Sequence, residues 1–187
     1  MANGSIVQMA LLLCFSTTAL SMSYDVLQFQ QRGSISACWT LIRQLNGTSH
    51  SCLQDRIDFK FPQEIQPQKF QKEEAMLVIH EMLQQIFDLF TRNFSSTGWN
   101  ETIIGKLYGE LSWQVDHLEA ALVEIEEEET FTWEKNTTLL LLQDYYSQIG
   151  EYLETKLYSR CAWIEVRRHI LRNFSVLHKL IDLIFKN

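Results

Sequence analysis

Residues 159–185 read SRCAWIEVRRHILRNFSVLHKLIDLIF. Trp163, Val166, Ile170, Leu177, Ile181 and Ile184 recur at three- and four-residue steps, the repeat of one face of an α-helix, and no proline interrupts them. A stripe this narrow is buried only by packing against others like it, so the segment predicts a bundle of amphipathic helices.

Working back along the chain, the same spacing recurs. A helix from about Thr132 to Leu157 carries Leu142, Tyr145, Ile149 and Tyr152. Before it, Asn100 is placed to cap a helix with Ile104, Leu107, Leu111, Leu118, Leu122 and Ile125 on one face, ended by the acidic run Glu126–Glu129. Lys72 to Arg92 gives Ile79, Leu83, Ile86 and Phe90 before Ser95, Ser96, Thr97 and Gly98 break the pattern, and a first helix from about Tyr24 to Gly47 carries Ile35, Cys38, Ile42 and Leu45. The only prolines, Pro62 and Pro67, fall in the Gln-rich connection from Thr48 to Gln71. The fold class is all-α, with five helices.

Short connections force antiparallel neighbours, whereas the long first connection can travel the length of the bundle. The order then reads up, up, down, up, down: a four-helix up-up-down-down core with a long first crossover loop, plus one extra helix. That topology brings the end of helix one to the level of the start of helix five, where Cys52 and Cys161 meet. A bridge there closes about 110 residues, a loop size at which chain entropy gains roughly 4.7 kcal/mol.

With 187 residues, 46% of them hydrophobic and 21% charged, the chain suffices for one domain with a full core. A net charge of −7 leaves no cationic surplus for gripping phosphate backbones, which argues against nucleic acid as the partner. Met1 to Ser21 holds no Asp, Glu, Lys or Arg, has an apolar run from Met9 to Phe15 and closes on Thr18-Ala19-Leu20-Ser21, so residues 1–21 read as a secretory signal and 22–187 as the mature domain. Its start lacks the usual Lys or Arg. The apolar run is too short to span a bilayer, and no membrane insertion is expected. Secretion fits five Asn-x-Ser/Thr sequons, at Asn46, Asn93, Asn100, Asn136 and Asn173, among six asparagines beyond the signal. It also fits three cysteines, Cys38, Cys52 and Cys161, enough for one bridge and one spare thiol.

Catalytic signatures are missing: no Gly-rich phosphate loop, no Gly-x-Ser-x-Gly, no CxxC. Asp116, His117 and Glu119 are successive positions that point apart on a helix, so neither a metal site nor a cofactor is expected. Cys38, on a core stripe, reads as an inert small hydrophobe. Charge is bipolar: Glu110 to Glu134 holds nine acidic residues and no Lys or Arg, while Lys156 to Asn187 holds seven basic and two acidic residues. With Val166 set at zero and about 100° per residue, the core stripe of helix five spans roughly 0 to 80°, yet Ile164 falls near 160° and Leu171 near 140°. Rimmed by Arg160, Arg167 and Arg168, these two form either a protein-binding patch or a floor beneath the long loop.

Ser51-Cys52-Leu53-Gln54-Asp55-Arg56, then Phe61-Pro62-Gln63-Glu64, and Cys161-Ala162-Trp163 leading to Arg167, Ile170, Leu171, Arg172 and Phe174, resemble the type I interferons. Gly98-Trp99-Asn100-Glu101-Thr102 and Met22-Ser23-Tyr24 resemble the beta branch of that family, and the likeness covers essentially the whole chain. It implies a secreted, monomeric antiviral cytokine with no enzymatic activity, which joins the two chains of a cell-surface receptor. It further implies a high-affinity receptor face of Leu53, Arg56, Arg167 and Leu171, and a weaker face of Phe87, Asp88, Ile103 and Tyr108. The same resemblance pairs Cys52 with Cys161 and leaves Cys38 reduced. Arg168 is bulkier than the small residue of some relatives, and five sequons exceed what many members carry. Rival readings are another helical cytokine with a different receptor pair, a secreted helical carrier, which needs a cavity, and a secreted hydrolase, which needs a converging nucleophile and base.

Overall fold

The computed structural model describes residues 30–47, 52–128 and 137–185. Helix α1 spans 30–44 of these, followed by α2 (Lys72–Phe90), α3 (Glu101–Glu128), α4 (Thr137–Thr155) and α5 (Arg160–Ile184), with no strand among the described residues. The signal region, the anticipated start of α1 at Tyr24, Thr132 and Asn136 lie outside them, as do the side chains of Ile125 and the acidic run after it.

Local chemistry sets the helix ends. Gln71 and Glu74 form a reciprocal capping box at the start of α2. Asn100 Oδ1 accepts from the Thr102 and Ile103 amides at 2.8 and 3.3 Å, as its N-cap reading requires. Ser159 Oγ accepts from the Ala162 amide and starts α5. Helix α2 stops two residues short of the anticipated Arg92, because Thr91 already bonds back to the Asp88 carbonyl and Gly98 turns the chain at φ 69°. Helix α4 ends before Leu157 and Tyr158, both held at left-handed φ near 50°.

Long-range bonds fix the directions. Arg32 pairs with Asp182 and Ser36 meets His178, while Arg167 donates to the Ile42 carbonyl, so α1 and α5 are antiparallel. Trp99 Nε1 donates to the Asn46 carbonyl and Ser34 meets Glu110, which runs α1 against α3. Arg92 pairs with Glu154, placing the ends of α2 and α4 together. The anticipated up, up, down, up, down order follows.

Every stripe position tested lies in one core except Leu122 and Tyr152, which are half-buried at its edge. Phe90, Trp99 and Trp163 pack at the upper end, with ring centroids 5.5–6.3 Å apart. Both indole N–H groups donate to backbone carbonyls, Trp163 to Asn93 and Trp99 to Asn46, each at 2.8 Å. The cluster therefore buries its rings without orphaning a donor.

Candidate functional site

The connection between α1 and α2 is fastened to α4 and α5 along its length. Cys52 is bonded to Cys161, with Cα atoms 5.3 Å apart. Three residues on, the Tyr152 hydroxyl donates to the Asp55 carbonyl at 2.7 Å, and Lys156 Nζ lies 2.9 Å from the Asp55 carboxylate. The Ile57 carbonyl receives Arg168 Nη2 at 3.1 Å and lies 3.0 Å from His169 Nε2. Phe59 then sets its ring edge-to-face between Tyr152 and His169, and Phe61 does the same with Tyr145. This stapling leaves Leu53 57% exposed on a short helical turn, Leu53–Asp55, with Arg56 exposed at the end of that turn.

The four residues assigned to this face differ in what holds them. Leu53 and Arg56 are free surface, and Leu171 is half-buried against the core. Arg167 is committed: Nε donates to the Ile42 carbonyl at 2.7 Å and Nη2 to the Arg43 carbonyl at 2.9 Å, satisfying the end of α1. Burial, and then the neighbouring charge of Arg43, push its guanidinium pKa down from the ordinary arginine value.

Ile164 corrects the helical-wheel reading. It does face away from the core stripe, but it is buried, and the chain at Gly47 covers it. A Cβ at Gly47, where φ is +148°, would come within 2.6 Å of Ile164 Cγ1. Of the two readings, the floor holds for Ile164, and only Leu171 stays at the surface.

Across the bundle, Phe87 and Tyr108 meet edge-to-face with centroids 6.0 Å apart, joining α2 to α3. The Tyr108 hydroxyl donates to the Phe90 carbonyl, and burial raises its pKa. Asp88 is exposed and accepts from Gln84, and Ile103 is half-buried. Of the four anticipated residues, Phe87 and Tyr108 are brought together by packing of α2 on α3; Asp88 follows Phe87 at the surface of α2, and Ile103 packs against the core from α3.

Sequence reasoning missed a polar row on α5. Glu165, His169 and Asn173, at i, i+4 and i+8, are each 2% exposed. Their spacing beside Val166, Ile170, Phe174 and Leu177 was the available signal. Glu165 accepts from Arg168 Nε at 3.0 Å and pairs again with Nη2. Asn173 Nδ2 donates to the Tyr146 hydroxyl at 3.0 Å, and its Oδ1 lies 3.3 Å from that of Tyr145. The nitrogen that would carry a glycan is therefore buried and occupied, so the Asn173 sequon gives way to a packing role. Asn46, Asn93 and Asn100 are exposed, and Asn100 can carry a glycan on Nδ2 while Oδ1 still caps α3.

Among the described residues, no group of three or more His, Cys, Asp or Glu side chains converges on one point. His117 bonds back to the Trp113 carbonyl at 2.7 Å. Cys38 is buried, accepts from Gln114 Nε2 at 3.3 Å, and burial followed by the Glu110 charge pushes its thiol up to about 12. It carries no thiolate at neutral pH. No described helix is long and apolar enough to cross a membrane.

A family model described as the interferon alpha/beta domain matches residues 27–184. The chain is 55% identical to interferon beta of Equus caballus, over 95% of each. It is 52% identical to interferon beta of Homo sapiens over 96% of this chain and 97% of the human one, and 38% identical to human interferon alpha-16 over 94% and 93%. In three dimensions it matches zebrafish interferon 1 with a TM-score of 0.71, covering 84% of this chain and 98% of the other at 15% identity, a likeness of fold.

Proposed function

The chain belongs to the interferon alpha/beta family as a beta-like cytokine, not an enzyme, and on that premise we propose that it acts by joining the two chains of the type I interferon receptor. The loop–α5 face, with Leu53, Arg56, Arg167 and Leu171, takes the tighter-binding chain. The α2–α3 face, with Phe87, Asp88, Ile103 and Tyr108, takes the weaker one. The observation that carries this is the loop itself: Leu53 and Arg56 are exposed on backbone held by a disulfide and three side chains, so little ordering entropy is lost on docking. A monomer engaged by one membrane-anchored chain meets the second at raised effective concentration. Signalling through receptor-associated kinases and an antiviral response follow from family membership.

Residues 1–21 are removed as a secretory signal, a reading carried by their uncharged, apolar sequence and the small residues at its close. Asn46, Asn93, Asn100 and Asn136 are the glycan acceptors. The test measures binding of the purified mature chain to each receptor ectodomain alone and to both tethered on one supported bilayer. One tight contact, one weak contact and a much slower release from the tethered pair are expected. Release no slower from the pair than from the tighter ectodomain alone defeats the reading.

A further inference from the structure

Glu165 and His169 stand out as buried ionisable groups that no helix in a bundle requires. Each is 2% exposed; His169 and Arg168 meet at one acceptor, the Ile57 carbonyl of the loop, and Glu165 holds Arg168 there by accepting from its guanidinium. We infer that Glu165, Arg168 and His169 form an acid-sensitive latch that holds residues 55–59 against α5 and so positions Leu53 and Arg56.

The charge balance explains the sensitivity. With His169 neutral, Glu165 and Arg168 cancel and the cluster is closed. The tautomer carrying its proton on Nε2 donates to the Ile57 carbonyl, while Arg168 bridges that carbonyl and Glu165. Protonation adds a positive charge in this buried site, against the Phe59 ring and 3.0 Å from Arg168 Nη2. The surrounding groups offset it only in part: the Ile57 carbonyl and Glu165 both favour the charged ring, and burial outweighs them. On α5, Glu165 lies 3.8 Å from the imidazole but is already taken by Arg168, and Arg172 adds repulsion. From the loop, Asp55 is paired with Lys156, and Asp58 adds a carboxylate near Tyr145. From α4, Tyr152 and Tyr145 face the cluster as neutral phenols with pKa values pushed up to about 12 by burial. Burial is also the chief cause that lowers the His169 pKa.

The sign follows. A histidine with a folded pKa below its unfolded value of about 6.5 contributes its full stability above that pH and loses it as pH falls toward the folded pKa. The segment able to relieve the charge is the loop, because lifting residues 55–59 admits water while the helix stays formed. Only the positioning of Leu53 and Arg56 rests on the receptor reading; the latch does not.

The test is amide hydrogen exchange on the free mature chain at about pH 7.4 and about pH 5.5, the range in which histidine titrates, corrected for intrinsic rates. The Asp55 and Arg56 amides, bonded to the Cys52 and Leu53 carbonyls, should exchange severalfold faster at the lower pH while those of α3 do not, and the midpoint should match the His169 imidazole titration followed by NMR. His169→Gln should keep protection at the higher pH and lose the acid response, and His80→Gln should keep it. Equal protection at both pH values, or a midpoint that follows another histidine, overturns the latch. Dissociation from the tighter receptor ectodomain should speed up severalfold on acidification for the native chain and not for His169→Gln. Unchanged dissociation with a responsive loop removes the positioning role, and a native chain that binds neither ectodomain fails the receptor reading while exchange still judges the latch.

Discussion

The two faces are built by different means on one scaffold. At the α2–α3 face, Phe87 and Tyr108 sit where helical spacing puts them, and packing of adjacent turns suffices to hold them. At the loop–α5 face, the exposed residues belong to a segment with no regular helix longer than one short turn. A disulfide, an ion pair and buried polar side chains hold it instead. A helix presents a surface as a by-product of its core, whereas a loop presents one only when each stretch of backbone is fastened. Damage to the core should therefore cost both faces, and damage to a fastening only one.

The largest effect is expected from Trp163→Ala, which empties the centre of the aromatic cluster. Roughly 3–5 kcal/mol should disappear from chemical unfolding, with binding at both faces. Replacing Cys52 and Cys161 together by Ser should cost about 2–5 kcal/mol and weaken the loop face while leaving the α2–α3 contact measurable on its own ectodomain. Equal loss at both faces would erase the distinction. Arg167→Ala removes two charge-assisted bonds to the end of α1 at a half-exposed site, so a melting experiment should register about 1–2 kcal/mol alongside weaker binding. Tyr108→Phe, which deletes one bond to the Phe90 carbonyl, should cost about 0.5–1.5 kcal/mol. Leu53→Ala should leave stability within about 0.5 kcal/mol and act on the loop face alone. A Leu53→Ala protein that melts early would show the exposed turn to be structural.

The helices were legible because each stripe repeats within a single segment, and Ile79, Leu83, Ile86 and Phe90 needed no knowledge of any partner. The bridge was legible through loop length and topology. What escaped was set between segments. Ile164 looks unpartnered on a wheel because the wheel omits Gly47, more than a hundred residues earlier. Arg167 reads as surface charge until the α1 carbonyls arrive beside it. His169 passes for a solvated residue because its partner is the backbone carbonyl of Ile57, which no side-chain pattern reveals, and Glu165 because Arg168 is drawn over it toward the same carbonyl. Helical spacing sets Asn173 at the edge of the core stripe, and the Tyr145 and Tyr146 hydroxyls then occupy its amide.

The bond from Cys52 to Cys161 joins a segment made early to one made late, encircling α2, α3 and α4. During synthesis the early segment emerges with nothing to grip, since its covalent anchor and the side chains that hold it arrive only with the last two helices. A nascent or prematurely terminated chain therefore never displays a finished loop–α5 surface, and completeness of translation is written into its shape.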